Sequence, residues 1–108
     1  MIKYGFIDGS GKLIVPFNYD EINRYSEGLA TVKLNEKHGF IDKEGKEVIP
    51  RKYDDAWDFS EGLARVELNG KRGFINKVGK EVIPCKFGDA DSFSEGLAGV
   101  GMEFPEFP

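Results

Sequence analysis

Two short segments recur at a fixed spacing of 34 residues: Gly5-Phe6-Ile7 returns at Gly39 and Gly73, and Ser26-Glu27-Gly28-Leu29-Ala30 returns at Ser60 and Ser94. Neither marker slips by a residue. A constant period means one supersecondary unit used three times, too small to bury its apolar side alone and therefore stacked on its neighbours. The units run over about residues 3–36, 37–70 and 71–101, one repeat domain spanning 1–101, and an atypical segment, 102–108, follows.

The same period belongs to helical repeats, so composition decides the class. Fourteen glycines and five prolines are spread through the chain, and Pro16, Pro50 and Pro84 fall where helix interiors would have to run. Alternation supplies the positive signal. Ala30-Thr31-Val32-Lys33-Leu34 and Ala64-Arg65-Val66-Glu67-Leu68 place apolar residues on one face and polar residues on the other, as a half-buried strand does.

The turns carry their own chemistry. Asp8, Asp42 and Asn76 each open a turn that a glycine closes three residues later, which predicts a type I turn with an Asx side chain accepting nearby N–H groups. Asn69-Gly70 is a two-residue hairpin signal joining the Ala-Val-Leu strand to the next Gly-Phe-Ile strand. Tyr19 to Ile22, with Tyr53 to Ala56 and Phe87 to Ala90, forms a further short extended segment. The fold expected is all-β: three tandem antiparallel meanders of about three strands each, in an open twisted stack, with a closed pseudo-threefold trefoil or barrel as the alternative. Phe6, Ile7, Val15, Tyr19, Tyr25, Leu29, Ala30, Val32 and their equivalents are the expected interior. Phe6 and Ile7 point to opposite sides of a strand yet never vary, so both sides of it should be covered.

Taken together, Gly-Phe-Ile-Asp, Gly-Lys, Val-Ile-Pro, Tyr-Asp and Phe-Ser-Glu-Gly-Leu-Ala resemble the WG repeat, a unit of tandem arrays found largely in bacteria. The resemblance covers Lys3 to Val100. One departure stands out: the tryptophan expected before Gly5, Gly39 and Gly73 is replaced by Tyr4, His38 and Arg72. The resemblance implies a β-rich array with an interaction role and no reaction.

Charge and composition limit the partners. Fifteen basic against nineteen acidic residues give a net charge of −4, which argues against nucleic acid. No run of about 18 apolar residues suggests a membrane span, and Met1 to Lys12 lack the apolar stretch of a secretory signal. Cys85 is the sole cysteine, so no internal disulfide framework exists. His38 is the sole histidine and has no ligand set around it; no metal or cofactor is expected.

The function expected is therefore a non-catalytic binding or scaffolding module whose partner is a protein or peptide, with carbohydrate or cell-envelope binding as the alternative. Trp57 is the leading contact residue, because its equivalents Asn23 and Asp91 are not core residues. Glu27, Glu61 and Glu95 form an evenly spaced carboxylate row that could accept hydrogen bonds from a ligand, or could instead satisfy turn N–H groups. The array starts without an Ala-Val-Leu strand and stops without a Gly-Phe-Ile strand, so the two ends complement each other and a second copy is a further expected partner. The proline-containing segment 102–108 reads as a cap.

Overall fold

The computed structural model describes residues 1–105 and contains strands without helices. Among the described residues twelve strands form four sheets: β1 (Tyr4–Ile7) pairs β2 (Leu13–Tyr19); β3 (Glu21–Ile22), β4 (Ala30–Leu34), β5 (Lys37–Ile41) and β6 (Glu47–Tyr53) form the second. The third joins β7 (Asp55–Ser60), β8 (Leu63–Leu68), β9 (Lys71–Asn76) and β10 (Glu81–Phe87), and β11 (Asp89–Ala90) pairs β12 (Val100–Gly101). All pairings are antiparallel.

The structural unit is thus a four-stranded sheet that straddles the boundary between sequence repeats, where a three-stranded meander within each repeat was expected. Tight hairpins at the boundaries cause this. Asn35 and Glu36 have φ of 52° and 66°, and Asn69 and Gly70 have 52° and 77°, the two consecutive left-handed residues of a type I′ turn. Such a turn matches strand twist, so β4–β5 and β8–β9 zip in continuous register, with Val32 opposite Gly39 and Val66 opposite Gly73. The Asx turns also form as expected: Asp42 Oδ1 accepts the N–H groups of Glu44 and Lys46, both at 2.9 Å.

The array is open. Its extents of 60 × 33 × 20 Å and its radius of gyration of 15.4 Å exceed the roughly 13 Å of a globule this long. No closed trefoil or barrel forms, because each sheet packs only on the sheets before and after it.

Direction along the array comes from the Gly-Phe-Ile strand. Phe40 faces the following sheet, where it meets Phe59 edge-on at 4.9 Å, while Ile41 packs back with Val15, Ala30 and Val32 toward the preceding one. Both are fully buried. The same holds for Phe74 and Ile75, but Ile7 is 63% exposed because no sheet precedes β1 among the described residues. Expected burial of the repeated positions thus fails only at the array ends: Leu97 is 78% and Val100 48% exposed, whereas Leu29 and Val66 are buried. The core residues are right in kind, and the missing neighbour explains each exception.

Glycine precedes Phe for a steric reason. Opposite Gly39 the β6 strand bulges at Pro50, and a Cβ there would lie 2.6 Å from the Ile49 carbonyl oxygen. Pro16, Pro50 and Pro84 all sit in the outer strands β2, β6 and β10, where the missing N–H blunts lateral strand addition.

The tail begins as part of the array. Lys3 and Lys37 pair with Asp20 and Asp54, and the third unit has Gly88 in place of that aspartate. Glu103 fills the gap: its carboxylate lies 3.3 Å from Lys71 Nζ, and a Cβ on Gly88 would come within 2.9 Å of its Cγ. Residues 102–105 do not pair with the outer side of β12, and the remainder of the expected cap lies outside the described residues.

Gly39→Ala should destabilise the chain by about 2 kcal/mol or more through backbone overpacking, while Gly9→Ala, with nothing within 4 Å, should change little. Urea unfolding of both variants measures this, and equal stability of the two would contradict the tight bulge.

Candidate functional site

A groove of about 520 Å³ is lined by Ile22, Asn23 and Arg24, by Ala56, Trp57 and Asp58, and by Ser92. It crosses all three repeats at the same repeat position. Ile22 and Ala56 supply an apolar wall; Asn23, Asp58 and Ser92 bring an amide, a carboxylate and a hydroxyl, and Arg24 reaches Asp58 at 3.7 Å. Trp57 is half-buried in this wall.

One cross-strand position explains how Trp57 comes to be there. Asn23 beside β3 donates to Thr31 Oγ1 on β4; on the next sheet the corresponding partners are Trp57 and Arg65, whose guanidinium stacks 3.9 Å from the indole centroid. A polar hydrogen bond in one repeat becomes a cation–π contact in the next, worth about 1 kcal/mol at a partly exposed site. Arg65 also donates to the Ala90 carbonyl, which ties the Trp57 platform to β11. Arg24, Arg65 and Ser92 were not singled out as contact residues from sequence, and Asp58 was read only as part of a solvated acidic turn. Arg65 was legible in principle, since it follows Trp57 by eight residues as Thr31 follows Asn23.

The glutamate row lies elsewhere and is put to structural use. Glu27 accepts the N–H groups of Glu61 and Gly62 at 2.8 and 2.9 Å, and Glu61 accepts the N–H of Gly96 at 2.8 Å. Ser26 Oγ donates to the Phe59 carbonyl at 2.8 Å, and Ser60 Oγ to that of Phe93 at 2.7 Å. Each Ser-Glu-Gly turn therefore stitches the next one, where sequence reasoning had each turn satisfying its own backbone. The geometry makes this possible: Glu61 and Gly62 have φ of 53° and 79°, so the turn projects its N–H groups outward toward the preceding unit's Glu27 carboxylate. Glu95 is exposed and has no hydrogen-bond partner among the described residues.

The isolated reactive groups stay apart. Burial pushes the Cys85 thiol up from its ordinary value, with the Glu81 carboxylate adding to the effect, which makes it a poorer nucleophile. His38 Nε2 lies 3.7 Å from Asp55, and its Nδ1 is buried without a partner. Among the described residues no three His, Cys, Asp or Glu side chains converge as a metal site would require.

The geometry defines an all-β array of tandem repeats with a surface groove. A family model described as the WG containing repeat matches residues 4–37, 39–71 and 73–103. The chain belongs to this family, in three tandem copies. Neither a curated protein nor a solved structure matches the chain.

The Glu27 carboxylate is held below its ordinary value by the Gly62 N–H first, then by Glu61 and Lys77. A depressed folded-state value contributes stability above the unfolded value of 4.5 and loses it as pH falls through the folded value. Glu27→Gln should therefore be less stable than the parent at neutral pH and flatten the fall in stability below that point. Denaturant midpoints of parent and variant across acid pH measure both effects.

Proposed function

We propose that the chain is a non-catalytic interaction module that receives a protein or peptide segment in the groove around Trp57. The observation carrying this reading is the groove itself: an apolar wall flanked by an amide, a carboxylate, a guanidinium and a hydroxyl, spanning three repeats. A peptide presents both side-chain hydrocarbon and backbone donors and acceptors, which this lining complements. Trp57 serves as anchor because its rotamer is held by Arg65, so little conformational freedom is lost on binding. Addition of a partner strand along the β2, β6 and β10 side is disfavoured by Pro16, Pro50 and Pro84, whereas the opposite outer strands β3 and β7 lack proline and line the groove.

Carbohydrate binding is the second reading. It is favoured by the juxtaposition of the indole with Asn23, Asp58 and Ser92, groups able to take hydrogen bonds from sugar hydroxyls. It loses the glutamate row as a ligand surface, since the Glu27 and Glu61 carboxylates are already engaged by turn N–H groups.

Selection from a displayed peptide library against the immobilised chain should yield binders that weaken by about 30-fold or more on Trp57→Ala, the cost of losing a hot-spot anchor of about 2 kcal/mol. Peptides bound equally by both forms would sink the groove as the site. A parallel glycan array decides the second reading: sugar retention abolished by the same substitution supports it, and absence of retention removes it.

A further inference from the structure

We propose that the chain associates head to tail with a second copy of itself, the β11–β12 pair of one copy joining the β1–β2 pair of the next into one four-stranded sheet. This goes beyond the groove reading and uses different residues.

Three observations, each carrying an internal junction one repeat onward, point to the same partner. The first is topology. Both internal sheets have four strands, and the two end sheets are complementary halves of that unit: β11–β12 correspond to β7–β8, and β1–β2 to β9–β10. Neither β12 nor β1 has a sheet partner on its outer side among the described residues. Neither strand contains proline, unlike the side strands β2, β6 and β10. The internal registers, Val32 opposite Gly39 and Val66 opposite Gly73, transfer to Val100 opposite Gly5 of the next copy.

The second observation is packing. Ile41 lies on Val15, Ala30 and Val32, and Ile75 belongs to one cluster with Ile49, Ala64 and Val66; all eight are fully buried. The same relation carried one unit onward sets Ile7 of the incoming copy on Ile83, Ala98 and Val100. Ile7 is 63% and Val100 48% exposed, and Ile83 and Ala98 are only half-buried. Each end therefore presents one side of an apolar contact that is complete twice inside the chain.

The third is the polar stitch. Ser26 and Glu27 grip the turn of the following unit, and so do Ser60 and Glu61. Ser94 and Glu95 repeat the pair on the last unit and grip nothing among the described residues. On the first unit the turn they would meet offers the Tyr25 carbonyl and the outward N–H groups of Glu27 and Gly28. Hydrogen bonds within that turn use only Ser26 and Leu29. Lys43 of the incoming copy would stand by Glu95 as Lys77 stands by Glu27.

The β4–β5 and β8–β9 hairpin tips, which mark this junction in both internal sheets, are exposed. Because the two surfaces differ, the contact is heterologous and each added copy leaves a fresh end.

Sedimentation of the whole chain over rising concentration should show average mass climbing past that of a dimer. Ile7→Asp spoils one face and the pair Glu95→Arg with Leu97→Asp spoils the other, all at exposed positions that leave the monomer fold in place, which circular dichroism verifies. Each variant alone should stay monomeric. Mixing the two should give a heterodimer that grows no further, since each retains one opposite intact face. A parent chain that remains monomeric to millimolar concentration, or stops at a symmetric dimer, would overturn the proposal. Trp57→Ala should leave association unchanged, so the assay is independent of the groove.

Discussion

The structure depends on a division of labour within one dipeptide. In Phe40-Ile41 and Phe74-Ile75 the phenylalanine packs toward the next sheet and the isoleucine toward the previous one, so each four-stranded sheet is held from both sides through a single strand. A strand can do this only because consecutive side chains alternate faces. Four strands of two to seven residues bury too little on one face to stand alone. Stability consequently resides in the junctions, and each unit contributes in proportion to the neighbours it has.

Several features serve those junctions. Glycine before phenylalanine admits the bulging carbonyl of the neighbouring strand, which lets the sheet curl around its own aromatic side chain. The Ser-Glu-Gly turn adds directional bonds to the non-directional apolar contact. Its two consecutive left-handed residues expose backbone donors on one side while its own carboxylate reaches across on the other. The registry between units is thereby specified twice, by packing and by hydrogen bonding. Proline sits on one side of the array, in β2, β6 and β10, while the opposite outer strands β3 and β7 carry Ile22, Ala56, Trp57 and Asp58 of the groove.

The groove follows from variation on this conserved frame within the chain. Where one repeat has Asn23 with Thr31, the next has Trp57 with Arg65, and the third has Asp91 with Gly99. The frame fixes where these pairs sit, and their identity fixes what they can touch. A similar substitution occurs at the third lysine pair, where Glu103 from the tail replaces the carboxylate that Gly88 lacks. Repeat position determines geometry; residue identity determines chemistry.

The period, the alternation and the turn residues were enough to determine an all-β array, its hairpins and nearly all of its interior, because these are local preferences repeated three times. Tyr25 was legible as an interior ring, but the destination of its hydroxyl, which donates to the Asp42 carbonyl at 2.6 Å, was not. What sequence could not determine was which strands share a sheet, since pairing across a repeat boundary and pairing within it satisfy the same alternation. Tertiary structure decided that, and with it the offset sheets, the exposure of Ile7 and Leu97, and the destination of the Glu27 carboxylate. It also brought Ile22, Trp57 and Ser92 to one groove, a proximity between residues about a repeat apart that only the stacking of whole sheets creates.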